Sequence, residues 1–159
     1  MKKKLGIISL LLSIIVITLS GCNSTKEVTA KIPSVDEITQ KVKQATDTSN
    51  MRIADAAGLK KLYDINSDEL EGFSLLTAPS NIKSDEIAIL KVKDSGNVEN
   101  VKNKITKRID KQLKSFNGYL PNEYYLIQHN TVKVKGNYVI FIVSKDAEKV
   151  SNAFDEAFK

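Results

Sequence analysis

Residue types that commonly carry out catalysis are sparse in this sequence, and their spacing favours no active site. His129 is the only histidine, and its neighbours Gln128 and Asn130 supply no carboxylate to orient an imidazole as a general base. Asp85 and Glu86 are adjacent, so within a strand their side chains would point to opposite faces and could not act as a pair. We therefore expect a protein without enzyme activity and without a cofactor.

Oxygen-bearing side chains alternate in one short segment, where metal binding is the chemistry to consider. Asp64, Asn66, Asp68 and Glu69 have part of the spacing of a calcium-binding loop, but the central glycine and the closing glutamate are missing. Capping of a short helix by Ser67 is the simpler interpretation. The sequence also lacks a zinc-ligand set, a phosphate-binding glycine loop and a GxSxG nucleophile motif. We expect no metal site.

The single cysteine, Cys22, ends the most distinctive pattern of the chain. It is preceded by a basic segment, an apolar run and two small residues, in the order Lys2–Lys4, Leu5–Leu19, Ser20 and Gly21. This pattern resembles the lipobox of bacterial lipoproteins. The resemblance implies cleavage between Gly21 and Cys22 and attachment of a diacylglyceryl group, with fatty acids such as palmitate, to the Cys22 thiol. The apolar run is shorter than the roughly 18 residues of a membrane span, which favours a cleaved signal peptide.

These features divide the chain into a signal peptide over residues 1–21, a lipidated tether over 22–32 and one domain over 33–159. Of 24 lysine and arginine residues, three belong to the signal peptide, which leaves 21 against 19 acidic residues. Such a near-neutral balance does not support nucleic-acid binding. We expect a protein anchored through diacylglyceryl-Cys22 to the cell membrane, on its extracytoplasmic face.

The spacing of apolar residues predicts helices and strands in the order α-α-β-β-α-β-β-α. The first predicted helix begins after Ser34. The other three cover about Ala54–Tyr63, Val98–Asn117 and Asp146–Phe158. The predicted strands are Gly72–Ala78, Asp85–Asp94, Thr131–Lys135 and Tyr138–Val143. Val132 and Val134 are expected to point inward from an edge strand, and the apolar run Tyr138–Val143 predicts a central one. This order favours an α+β domain, with helices packed on a mainly antiparallel sheet of about four strands.

Several segments together resemble one protein family. They are Asp85–Ala88, Lys91–Asp94 with the lysine-rich helix that follows, Tyr119–Pro121 and Val132–Val139. The resemblance is to Gram-positive lipoproteins that carry domain of unknown function 4358, and it covers roughly Met51 to Phe158. It implies a lipobox followed by a single α+β domain, and it brings no activity that could be assigned to a residue here.

A row of basic side chains is one candidate contact surface. It recurs at helical spacing on the long predicted helix and consists of Lys104, Lys107, Arg108, Lys111 and Lys114. The simpler interpretation is the solvated face of a core helix. The functional alternative is a surface that binds anionic lipid headgroups or an anionic wall polymer.

A group of tyrosines is the other candidate. Tyr119, Tyr124, Tyr125 and Tyr138 lie in the C-terminal half, where they could line a small pocket or stand at the edge of the core. The sequence thus predicts a non-enzymatic binding or scaffolding module of the cell envelope, with anionic lipid, wall polymer or an envelope protein as partner. The alternative is an accessory lipoprotein that binds a small ligand or solute. An envelope hydrolase is the least favoured class, because no catalytic constellation is present.

Overall fold

The computed structural model describes residues 32–159, which contain five α-helices, five strands and two single-turn 3-10 helices, Ser67–Glu69 and Ser95–Asn97. The predicted signal peptide, Cys22 and the tether up to residue 31 lie outside the described residues. The helices are α1 (Val35–Ala45), α2 (Ala56–Tyr63), α3 (Val98–Phe116), α4 (Pro121–Gln128) and α5 (Ala147–Glu156). The strands are β1 (Arg52–Ala54), β2 (Leu70–Thr77), β3 (Glu86–Val92), β4 (Thr131–Lys135) and β5 (Tyr138–Val143).

The strands form one sheet in the order β1-β2-β3-β5-β4, and every neighbouring pair is antiparallel. The central strand is β3, in which Ile87 lies opposite Leu76 of β2 and Ile142 of β5. The predicted α+β domain with an antiparallel sheet is confirmed, with five strands rather than about four. Within residues 32–159, no helix has the length and apolar character needed to cross a membrane.

Helices cover both faces of this sheet, so the domain has two apolar cores. Ala88 and Leu90 of β3 belong to the first core, beneath α2, α3 and α4. Ile87 and Ile89, which point the other way, belong to the second core, beneath α1 and α5. Burial on both faces explains why β3 and β5 are nearly continuous apolar runs rather than alternating ones.

The first helix starts where the sequence predicts. Ser34 Oγ accepts a hydrogen bond from the Glu37 N–H (3.1 Å), and Glu37 Oε2 accepts one from the Ser34 N–H (2.8 Å). This capping box satisfies two backbone donors that the first helical turn leaves without a partner. Ile38 and Val42 are fully buried in the second core, which fixes the face that α1 presents to the sheet.

The predicted second helix starts too early, because residues 52–54 form a strand. Asp55 ends that strand and caps α2, since its Oδ1 accepts from the Gly58 N–H at 2.9 Å. A Cβ at Gly58 would lie 2.9 Å from the Ala54 Cβ, so glycine allows the close approach of α2 to β1. Three residues without an alternating pattern carry too little signal to predict a strand.

The expected burial of the valines of β4 is wrong. Val132 and Val134 lie on the face of the first core, opposite Phe141 and Val139 of β5, but they are 37% and 40% exposed. Lys133 points toward α5, where its ammonium forms an ion pair with Asp155 and donates to Ser151 Oγ at 3.2 Å. A position on the second-core face at the edge of the sheet is thus filled by a lysine whose ammonium has two partners on α5.

We expect truncation of Ile140 to test the two-core arrangement. Ile140 is fully buried in the second core, so Ile140→Ala should lower the free energy of unfolding by about 2–5 kcal/mol. Val134→Ala, on the neighbouring strand, should change it by about 0.5 kcal/mol or less because Val134 is 40% exposed at the edge of the sheet. Urea denaturation of the full chain in detergent compares the two. Equal losses would contradict the burial of Ile140 in a second core.

Candidate functional site

A cleft of about 540 Å³ opens at one end of the sheet. The floor of the cleft is formed where β1 and β3 begin and β2 ends. These strand ends are neighbours, since Arg52 and Glu86 both lie opposite Thr77. Residues of α2 form one wall, and the C-terminal half of α3, from Arg108 to Phe116, forms the other. The cleft therefore lies on the side of the first core, where two helices and three strands contribute side chains.

A buried carboxylate, that of Glu86, lies at the base of this cleft. Glu86 is 2% exposed and accepts hydrogen bonds from three residues. Arg108 donates from Nε to Oε1 at 3.1 Å and from Nη2 to Oε2 at 2.6 Å. Gln112 Nε2 donates to Oε2 at 2.9 Å, and the Tyr63 hydroxyl donates to Oε1. A bidentate guanidinium with two further donors is the partnering that a buried carboxylate requires.

The surroundings of this network fix its protonation. Burial, followed by the charge of Glu86, raises the pKa of the Tyr63 hydroxyl well above its ordinary value. Tyr63 therefore remains a proton donor to Glu86 at neutral and alkaline pH. Burial opposes the charge on Arg108, but the Glu86 carboxylate outweighs this effect, and the pKa of the guanidinium is raised. The network thus consists of one anion, one cation and two neutral donors.

Glu123 of α4 anchors the loop that leads into β3. Its carboxylate accepts from the Ser84 N–H at 2.9 Å, the Ser84 hydroxyl at 2.8 Å and the Lys83 ammonium at 2.7 Å. Burial opposes ionisation of Glu123, but these donors outweigh it and lower its pKa. Next in the chain, Asp85 is half-buried, and desolvation, together with the charge of Glu123, raises the pKa of its carboxyl.

The cleft carries an excess of positive charge. Its lining includes two acidic side chains, Asp85 and Glu86, and five basic ones, namely Arg52, Lys61, Lys83, Arg108 and Lys111. Arg108 and Lys83 are neutralised by Glu86 and Glu123. The other three basic side chains make no ion pair or side-chain hydrogen bond among the residues that the structure describes. The chain has only two arginines, and both line this cleft.

One polar atom in the wall of the cleft lacks a partner. Gln112 is 5% exposed, and its Oε1 atom is buried without a hydrogen bond in the described part of the chain. The orientation of the amide is fixed, because Nε2 must face the Glu86 carboxylate. A buried acceptor without a hydrogen bond lowers the free energy of unfolding by about 1–3 kcal/mol. The Gln112 amide thus donates to Glu86 in an orientation that leaves its own oxygen without a partner.

The predicted basic row does not act as one uniform surface. Lys104 forms an ion pair with Glu69 (3.1 Å), and Arg108 is engaged by Glu86. Lys107, Lys111 and Lys114 are exposed and make no side-chain ion pair or hydrogen bond with any residue in the range 32–159. Four members of the row, all except Lys114, line a second cavity of about 210 Å³ between α2 and α3.

The four tyrosines are not brought together, so the expectation of a shared pocket is wrong. Tyr124 packs against the first core and Tyr138 is buried in the second, on the opposite face of the sheet. The Tyr138 hydroxyl donates to the Pro33 carbonyl at 2.5 Å. Tyr119 is exposed, and Tyr125 stacks on His129 with ring centroids 3.9 Å apart.

The other residues considered for catalysis or metal binding lie away from the cleft or in helix caps. His129 is exposed, and its Nδ1 lies 2.8 Å from the Tyr125 carbonyl oxygen. The short helix Ser67–Glu69 is capped by Asn66 rather than by Ser67, and the Asn66 N–H donates to Glu69 Oε1 at 2.8 Å. No group of three or more histidine, cysteine, aspartate or glutamate side chains could hold a metal ion within residues 32–159.

The sequence contains signals for this site that the pattern of helices and strands does not use. An acidic residue at the start of a strand that is apolar on both faces, as Glu86 is, must be buried and needs a cationic partner. Arg108 is the only arginine in a helix otherwise rich in lysine, and arginine is the residue suited to bidentate pairing. No such signal in the sequence indicates that Tyr63, Gln112 and Lys61 belong to the site. Their places in it depend on how α2 packs beside α3.

We expect the Glu86–Arg108 pair to show strong energetic coupling. Glu86→Leu leaves a buried guanidinium without its partner and should lower the free energy of unfolding by about 3–5 kcal/mol. Adding Arg108→Met should restore much of that loss, with a coupling energy of about 2–3 kcal/mol. Glu99 and Lys102 form an exposed pair, in which the same cycle with alanine should give about 0.5 kcal/mol or less. Similar coupling in both cycles, measured by urea denaturation, would refute this role of Glu86.

Comparison with known families places the whole cleft inside one matched segment. The family model described as a domain of unknown function (DUF4358) matches residues 44–144, and the cleft is lined by residues between 52 and 116. No curated protein and no solved structure matches the chain. The match covers more than half of the sequence and includes all five strands. The chain belongs to the DUF4358 family.

Proposed function

We propose that this protein is a lipid-anchored, non-enzymatic binding protein of the extracytoplasmic membrane face, and that its domain binds an anionic ligand in the cleft. One observation carries the proposal. Arg52, Lys61 and Lys111 converge on a concave site from three different elements and have no acidic partner among the described residues. Cationic side chains placed around a concave surface concentrate anions there.

The geometry of Arg108 supports this function. Its Nε and Nη2 atoms are engaged by Glu86, which holds the guanidinium in one orientation and leaves Nη1 uncommitted to that pair. A donor whose orientation is fixed before the ligand arrives loses little entropy on binding. Thr77, Ser80 and Asn81 add neutral polar groups to the lining. These groups suit a ligand that carries hydroxyls besides its negative charge.

The buried serine of the cleft, Ser84, is engaged in a structural contact and is not arranged as a nucleophile. Ser84 lines the cleft, but it is 1% exposed and its hydroxyl donates to Glu123. An attacking hydroxyl needs a base that accepts its proton and a path to the substrate. Glu123 is tied to Lys83 and to the Ser84 N–H, so its role is to hold the loop before β3.

Anchoring of the protein through Cys22 is the second part of the proposal, and it rests on the lipobox-like pattern before that residue. We expect the wild-type chain to sediment with the membrane fraction of cells that express it. Cys22→Ser should prevent diacylglyceryl transfer and cleavage, so the chain should keep residues 1–21. Mass spectrometry of the purified N-terminus distinguishes the two forms. A wild-type protein with an intact N-terminus and an unmodified Cys22 would refute the anchor.

We expect phosphate-bearing probes to bind in the cleft. Titration of the full chain in detergent with glycerol 1-phosphate should shift amide resonances of residues around Arg52, Lys61 and Lys111 in a saturable way. Lys61→Gln with Lys111→Gln should weaken binding about tenfold for each lysine, the loss expected for one charge-assisted contact.

Lys93→Gln with Lys114→Gln is the matched control, because it removes two exposed lysine charges that lie outside the cleft and have no ion pair in the range 32–159. These two substitutions should leave the affinity unchanged. An absence of saturable shifts with both glycerol 1-phosphate and inorganic phosphate would overturn the proposed function. Equal losses in both pairs of variants would show that net charge, and not the cleft, attracts the anion.

A further inference from the structure

We propose that the ligand is a linear phosphodiester chain, a polyol phosphate several repeats long, and that it lies in one groove along α2 and α3. This inference rests on the proposed function and names the class of ligand. Its first support is that two cavities adjoin. The cleft of about 540 Å³ and the cavity of about 210 Å³ share four lining residues, Lys61, Leu62, Arg108 and Lys111.

The groove is long enough for more than one repeat. Along α3 its lining runs from Asn100 to Phe116, which at a rise of 1.5 Å per residue is about 24 Å. A single phosphate ester would occupy only part of this length. An extended chain could contact both cavities at once.

The cations are distributed along the groove rather than gathered at one point. Lys107 lies in the smaller cavity, Lys61 and Lys111 in the shared part, and Arg52 in the larger cleft. None of the four has an ion pair or a side-chain hydrogen bond within residues 32–159. Lys107 and Lys111 are about one helical turn apart. Cations spread along a groove match a ligand whose negative charge recurs along its length.

Neutral polar side chains lie on either side of these cations. Asn100 and Asn103 line the smaller cavity, while Ser115 and Thr77 line the larger cleft. Amides and hydroxyls can donate to and accept from the hydroxyls of a polyol. The one carboxylate of the smaller cavity, that of Asp64, forms an ion pair with Lys60, so it is neutralised at the end of the groove.

Two other polyanions fit the groove less well. Single-stranded nucleic acid is bound by stacking of bases on exposed aromatic rings, whereas the two aromatic residues of the groove, Tyr63 and Phe116, are buried. A bilayer presents a flat array of headgroups, which cannot follow a concave surface between two helices. A flexible chain without bases needs no exposed aromatic ring and can follow a concave surface.

The test is the dependence of affinity on ligand length. Glycerol phosphate oligomers of increasing length are titrated into the full chain in detergent, with glycerol 1-phosphate as the monomer. We expect the dissociation constant per phosphate to fall by about tenfold or more between monomer and groove-filling oligomer, because linked contacts bind cooperatively. The same dissociation constant per phosphate at every length would overturn the groove and leave the proposed anion site intact.

Variants at the two ends sharpen the test. Arg52→Gln and Lys107→Gln should both weaken the long oligomer, and each should reduce the slope of log affinity against log salt by roughly 0.7 to 1. Lys114→Gln lies outside the groove and should change neither quantity. A loss at one end only would show that the chain does not span both cavities.

Competition separates the possible sources of phosphate. Oligomers bound to the protein are challenged with a single-stranded oligonucleotide of equal charge, with phosphatidylglycerol vesicles and with phosphatidylcholine vesicles. We expect an excess of unlabelled oligomer to displace the labelled one and the other competitors to be much weaker. Displacement by the oligonucleotide at equal concentration would overturn the polyol chain in favour of a general polyanion. Displacement by phosphatidylglycerol alone would assign the groove to lipid headgroups. Failure of every phosphate probe, monomer included, would overturn the proposed function itself.

Discussion

The burial of one carboxylate constrains the rest of this domain. Glu86 begins the central strand and lies where water cannot solvate its charge, so its donors have to come from the elements packed around it. Tyr63 brings the end of α2 to this point, and Arg108 with Gln112 brings α3. If either helix shifted along the sheet, a charged group would be left buried without a partner. The network therefore fixes the relative position of two helices that apolar packing alone would allow to slide.

The charge of the cleft follows from the same constraint. Glu86 forms an ion pair with Arg108, and Glu123 forms one with Lys83. The two buried acids therefore do not neutralise the exposed basic residues above them. Arg52, Lys61 and Lys111 thus face the solvent with their full charge. The fixed position of the two helices and the excess of positive charge at the rim are two results of one arrangement, in which Glu86 and Glu123 are buried and paired while Arg52, Lys61 and Lys111 stay exposed.

Helical and strand periodicity predicted most of the elements, because α3, β4 and β5 carry long or unbroken patterns. The ends of β4 and β5 were predicted to the residue. The exposure of Val132 and Val134 was not, since alternating valines in a strand look like core residues. The pairing of Lys133 with Asp155 was not predicted either, because it depends on how α5 packs on the opposite face. The prediction of a pocket shared by the four tyrosines was wrong for a related reason. Nearness in sequence does not show on which face of the sheet a side chain lies. The cleft and its unpaired basic residues depend on three elements far apart in sequence, and only Glu86 and Arg108 gave a local signal of it.

The hydrogen bond between the Tyr138 hydroxyl and the Pro33 carbonyl sets where the chain enters the domain. Tyr138 belongs to the second core, beneath α1 and α5, whereas the cleft opens above the first core. Entry point and cleft are therefore separated by a sheet and its covering helices, layers that are each about 10 Å deep. With the anchor proposed at Cys22, a tether that enters the domain at Pro33 would place the α1–α5 side toward the bilayer. In that arrangement the cleft would open away from the headgroups, where a ligand from beyond the membrane could reach it.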